Sequence, residues 1–104
     1  MRGYAVFRTP IFDKKFYGLS NDFQEQIKNI EEQLESDPYV GKPLNVRWFR
    51  EKRLEDKRIY YLIYDDLRAV YIITISGKKD QQKTINTIRL FLDKYREEIE
   101  VLTT

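Results

Sequence analysis

The sequence predicts an α+β fold in the order β-α-α-β-β-β-α: an antiparallel twisted sheet packed by a helical hairpin and a C-terminal helix, in a single domain over residues 1–104. Three observations carry that expectation. Apolar residues recur at intervals of three and four from Phe12 to Leu34 and again from Ile85 to Leu102, the mark of helices facing a core. Between them, Arg58–Tyr64 and Arg68–Ile75 are rich in Tyr, Ile, Val and Thr, which suit a pleated surface. The strand candidates are separated only by Glu55-Asp56-Lys57 and Asp65-Asp66-Leu67, whereas a parallel crossover needs about a dozen residues, so the strands form an antiparallel meander.

From the N-terminus, Tyr4 to Phe7 form a short β-prone segment that Thr9-Pro10 ends. Thr9 caps a helix whose first position is Pro10, because proline lacks an N–H that has no partner there anyway and its φ is already helical. Phe12, Phe16, Leu19, Phe23, Ile27, Ile30 and Leu34 make one stripe, interrupted at Gly18 and Ser20-Asn21. A short helix over Pro10 to Tyr17, a turn, and a longer helix over Asn21 to Ser36 follow from it. Asp37-Pro38 and Gly41-Lys42-Pro43 carry turn chemistry, with a loop through Tyr39 and Val40. Strands are expected near Leu44–Leu54, Arg58–Tyr64 and Arg68–Ile75, then a turn at Ser76-Gly77-Lys78-Lys79. Asp80 caps one long final helix with the stripe Ile85, Ile88, Leu92, Tyr95, Ile99 and Leu102.

The chain has neither His nor Cys, which removes thiolate nucleophiles, disulfides, zinc–thiolate sites and the imidazole base. No acidic cluster has the spacing of a calcium loop, so neither a metal nor another cofactor is expected. The longest apolar run, Ala69 to Ile75, is far below the roughly 20 residues of a membrane span. No membrane partner is expected, and with no signal-peptide pattern at the N-terminus the default location is the cytoplasm.

The net charge of +2 is modest, so its placement matters more than its total. Arg47 to Arg58 holds six basic residues against three acidic, while Asp22 to Asp37 holds six acidic residues and one Lys. Arg50, Lys52, Arg53, Lys57, Arg58, Lys78, Lys79 and Lys83 lie on adjacent turns and strands of the meander. Converging on one face, they would suit a phosphate backbone, since guanidinium forks match phosphate oxygens and ammonium groups act as mobile point charges. A plainer reading stands beside this one: cations on strand ends solvate an edge and discourage aggregation. Tyr60, Tyr61 and Tyr64 can stack on bases or donate a proton, or be half-buried sheet packing with the hydroxyl at the rim. Trp48 reads as a core or rim anchor, Tyr95 as core. Glu25, Glu31, Glu32 and Glu35 lie opposite the apolar stripe and read as a solvated face.

In order and spacing, Asp37-Pro38 with Gly41-Lys42-Pro43-Leu44, the strand pair from Leu54 to Ile75 containing Arg58-Ile59-Tyr60-Tyr61, and Ser76-Gly77-Lys78-Lys79 leading into a terminal helix resemble the RelE/ParE superfamily of toxins from type II toxin–antitoxin pairs. The resemblance runs from about Tyr4 to Ile99 and implies a RelE-like fold. It also implies an endoribonuclease that cuts mRNA on the ribosome with cations rather than a metal, inhibiting translation until a cognate antitoxin restrains it. On this resemblance Arg58 is the sheet arginine that contacts phosphate, Lys79 stands at the turn arginine, and Arg50 and Lys52 match a basic pair across a one-residue gap. Lys52, its proton affinity lowered by neighbouring cations, serves as base, while Arg50, Arg53, Lys57, Lys78 and Lys83 bind substrate. The family's terminal catalytic Tyr aligns near Ile85, which cannot transfer a proton. That substitution leaves two alternatives open: a ParE-like inhibitor of DNA gyrase without nuclease activity, and an inactive RelE-like binding module.

Overall fold

The computed structural model describes residues 3–104. Strand β1 (Ala5–Arg8) leads into α1 (Pro10–Tyr17) and α2 (Asn21–Ser36). The meander follows as β2 (Lys42–Pro43), β3 (Phe49–Leu54), β4 (Lys57–Tyr64) and β5 (Ala69–Gly77), and the chain closes with α3 (Gln81–Leu90) and α4 (Leu92–Leu102). The sheet order is β1-β5-β4-β3-β2.

The start of α1 forms as expected: the Thr9 hydroxyl accepts from the Phe12 N–H at 3.0 Å, with Pro10 in the first turn. The same hydroxyl donates to the Ile73 carbonyl at 2.6 Å, so one side chain caps the helix and ties it to β5. Phe12, Phe16, Ile27, Ile30 and Leu34 bury one face of the helical hairpin against Ile59, Tyr61, Ile63, Val70, Ile72 and Ile75. On the other side of the sheet, Ile85 and Ile88 of α3 and Ile99 of α4 pack on Phe49, Tyr60, Leu62, Tyr71 and Ile73. The sheet therefore lies between two apolar layers, and its central strands β4 and β5 read as near-continuous apolar runs because both faces are covered.

Several expectations need correction. The meander is antiparallel throughout, but β1 runs parallel to β5, which makes the sheet mixed. After the hairpin the chain re-enters at the far edge, and the meander returns β5 beside β1 in the same direction. The strand expected from Leu44 begins only at Phe49, since Asn45 adopts a left-handed φ of 71° that no strand tolerates. Lys42-Pro43, read as a turn, pairs instead with Glu51 and Arg50. Ser76-Gly77 continues β5. The single terminal helix is two, broken at Phe91 (φ −117°, ψ 24°), and Leu102 is exposed. Asp80 precedes α3 without a side-chain cap. Of the two places open to Trp48, core or rim, its 41% exposure selects the rim. Glu31 is not on a solvated face: it takes two hydrogen bonds from Arg8, at 2.6 and 2.9 Å. Among the described residues no helix is long and apolar enough to cross a membrane.

A bulge in β5 positions the site. Tyr60 pairs with Thr74 but Tyr61 with Ile72, so Ile73 is inserted without a partner. Uninterrupted pairing would set Ile75 opposite Arg58. With the bulge the partner is Ser76, a polar residue.

Candidate active site

Side chains alternate across the sheet, and register decides which cations meet. Arg53 stands opposite Arg58, and Glu51 opposite Tyr60. All four are on the face covered by α3 and α4, together with Phe49 and Leu62. Arg58 is only 8% exposed and Glu51 6%. The Arg58 Nε lies 3.6 Å from Glu51 Oε2, close enough for ionic attraction and too far for a hydrogen bond. Among the described residues, Nε and Nη1 of Arg58 have no acceptor. Leaving donors of a buried cation unpaired costs about 1–3 kcal/mol each, so the arrangement is poised to accept an anion. Glu51 is held by another group: Gln81, on the first turn of α3, donates its amide to Oε1 at 2.8 Å and Oε2 at 3.1 Å.

A second polar pair borders the guanidinium. The Tyr60 hydroxyl and Ser76 Oγ are 2.9 Å apart, and Ser76 also reaches the Gly77 carbonyl at 3.1 Å. Burial raises the Tyr60 pKa, and the hydrogen bond with Ser76 opposes that rise. Lys78 and Lys79 follow immediately in a 3-10 turn and are exposed at this end of the sheet, as is Arg53 on the adjacent strand.

The remaining sequence-predicted cations lie elsewhere. Arg50 and Lys52 pair with Tyr61 and Ile59, on the face toward the helical hairpin. The sheet separates them from Arg58. Arg50 is spent on structure, donating to the carbonyls of Arg47 (2.8 Å), Tyr39 (2.9 Å) and Gly41 (2.6 Å). Lys57 and Lys83, with Lys14 and Lys15, line an open groove of about 640 Å³ between α1 and α3 along Ile73–Gly77. Ile85, where a terminal tyrosine is implied, is 6% exposed and packs in the core. Tyr60 and Tyr61 are fully buried rather than half-buried, Tyr61 donating to the Pro38 carbonyl at 2.7 Å.

Glu51, Gln81 and Ser76 border this site and were not singled out for it by the sequence reading, which weighed Tyr60 as a stacking or proton-donating residue against sheet packing. Alternation along Phe49-Arg50-Glu51-Lys52-Arg53 already groups Glu51 with Arg53 and against Lys52. Which set shares a face with Arg58 depends on the two-residue turn at Glu55-Asp56, in which Glu55 takes φ 55°. Among the described residues no group of three acidic side chains is placed to hold a metal.

No protein-family description and no curated protein sequence matches the chain. Solved structures do. The RelBE2 toxin–antitoxin complex of Mycobacterium tuberculosis matches with a TM-score of 0.65 at 23% identity, over 75% of this chain and 94% of that one. A free arginine-to-alanine double variant of the E. coli toxin RelE matches with a TM-score of 0.68 at 18% identity, over 81% and 92%. The archaeal RelE–RelB complex of Pyrococcus horikoshii gives 0.67 at 17% identity, over 73% and 96%. With its helical hairpin, its meander and its terminal helices, this chain has a RelE-like fold.

Proposed function

We propose that the chain is the toxin of a type II toxin–antitoxin pair: a cytoplasmic, metal-independent endoribonuclease that cuts mRNA on the ribosome and is restrained by a cognate antitoxin. The observation that carries this reading is the Arg58 guanidinium, buried in a RelE-like sheet with two nitrogens, Nε and Nη1, that have no acceptor among the described residues. A phosphodiester supplies such acceptors, and the charge that develops on its oxygens during cleavage is stabilised by preorganised donors. Exposed Arg53, Lys78 and Lys79 surround that end of the sheet and suit the flanking phosphates. Lys57 and Lys83 extend the positive surface into the adjoining groove. That the solved RelE folds include complexes with an antitoxin supports the partner.

Induced expression tests this reading. Growth arrest with fragmented mRNA and falling protein synthesis is the expected result. Arg58→Lys, which keeps the charge and loses the fork, should lower cleavage by about 10²-fold or more. Lys79→Ala should weaken it as well. The burial of Ile85 favours one second reading, a gyrase inhibitor without nuclease activity, since no tyrosine stands at that position. A DNA-damage response with intact mRNA would select that reading, and harmless overexpression of folded protein would leave only a binding module.

A further inference from the structure

We propose that the outer face of α4 is a self-association surface, on which a second copy of this chain docks its own α4 antiparallel about a two-fold axis. The proposal is independent of the RNA-cleavage reading above. Four large apolar side chains stand exposed at the two ends of this one helix: Leu90 (79%) and Phe91 (47%) at its entrance, Val101 (75%) and Leu102 (46%) at its end.

The inner face of α4 is committed to the fold, which fixes the helix in rotation. Ile99 is wholly buried, Tyr95 packs edge-on against Tyr71 with ring centroids 6.2 Å apart, and Glu98 accepts from the Tyr71 hydroxyl at 2.7 Å. Arg96 donates to both carboxylate oxygens of Asp66, at 3.1 and 2.6 Å, and to Glu100 at 2.8 Å. With that side inward, Lys94, Glu97 and Val101, spaced three and four apart, form the exposed ridge. Phe91 stands at its head, with the Lys94 ammonium 5.9 Å from its ring centroid and its carbonyl accepting from the Tyr95 N–H at 3.1 Å.

The charges on this ridge select the occupant. Lys94 and Glu97 are both exposed, and among the described residues neither takes part in a salt bridge, unlike Arg96 and Glu100 beside them. With the two-fold axis between Tyr95 and Arg96, Lys94 meets the partner's Glu97 and Glu97 meets the partner's Lys94. The same register sets Val101 at each end against the partner's Leu90 and Phe91. A parallel pair would put like charge against like, and a uniformly acidic or basic partner would leave one of the two charges facing its own sign. A second copy satisfies both at once, as an isologous contact requires. Because α4 spans only 11 residues, about 16 Å of helix, the contact is at the small end for protein interfaces and the dimer is reversible.

The test is sedimentation equilibrium of the purified full chain over a concentration series, for wild type, Lys94→Glu, Glu97→Lys, the double variant carrying both changes, and Val101→Ser, with thermal melting to check folding. Wild type should pass from the mass of a monomer toward twice that mass as concentration rises. Each single charge variant sets like charges together on both sides of the axis and should raise the dissociation constant about tenfold or more. An equimolar mixture of the two single variants should recover association, because opposite charges then face each other at both places. The double variant restores the same pairing within one chain, so it should dimerise like wild type, and it serves if a single variant fails to fold. Val101→Ser should weaken the dimer about tenfold, since the contact loses the apolar side chain twice. A monomer at every concentration, association untouched by the single charge variants, or a mixture that recovers nothing would overturn the proposal.

Discussion

Arg50 and Arg58 are residues of one type on neighbouring strands with opposite uses. Among the described residues, the hydrogen bonds that the Arg50 guanidinium donates all go to backbone carbonyls, and it also lies 5.0 Å from the Tyr39 ring centroid. Arg50→Ala should therefore lower stability by about 1.5–3 kcal/mol, the range for a hydrogen bond to a charged group. Per folded molecule it should leave RNA cleavage unchanged. Urea unfolding with an activity assay separates the two effects. Asp65 is a second residue with a structural task. It accepts from the hydroxyls of Tyr4 (2.6 Å) and Tyr39 (2.7 Å) and from Arg47 (3.0 Å), joining the N-terminal strand, the loop and the turn before β5. Those hydrogen bonds, Tyr4's foremost, hold its pKa below the ordinary 3.8. A depressed carboxylate contributes stability above its unfolded pKa and loses it as pH falls through the folded value. Asp65→Asn should accordingly flatten the fall of Tm with pH below about pH 4, with little effect on how Tm varies near neutrality.

At the scale of elements, Thr9 shows how one residue can seat a helix. Its hydroxyl caps α1 and donates to β5, and it is buried. Thr9→Ala should cost about 2 kcal/mol, the upper end for a lost cap, because a sheet carbonyl is left unpaired as well. Differential scanning calorimetry against Thr9→Ser, which keeps the hydroxyl, would isolate the hydrogen bonds. The cap, the proline at its start and the bounds of α1 and α2 were legible in the sequence because local chemistry determines them. The break at Phe91 was not, since a single-residue interruption leaves the apolar stripe in phase and both halves face the same core. The bulge at Ile73 was equally hidden: nothing local distinguishes an inserted Ile in a run of apolar residues, yet it decides that Ser76 faces Arg58. The parallel pairing of β1 joins residues far apart in sequence, such as Ala5 and Ala69, and short-range pattern has no access to it.

Across the whole molecule, the cations noticed first as a cluster are divided by the sheet. Arg58 and Arg53 share one face, Arg50 and Lys52 the other, while Lys57 and Lys83 line a groove beside them. Sequence spacing marked the cations but neither their partition nor the Glu51, Gln81 and Ser76 side chains beside them, because both depend on register and register is a tertiary property. Arg58 is thus the group proposed to meet phosphate. Its most direct test is the cleavage of mRNA on purified ribosomes by equal amounts of folded wild type and Arg58→Lys, read by mapping the 5′ ends of the fragments. Cutting by wild type and a rate at least about 10²-fold lower for the variant is the predicted result. Intact mRNA with wild type, or equal cutting by both proteins, would contradict it.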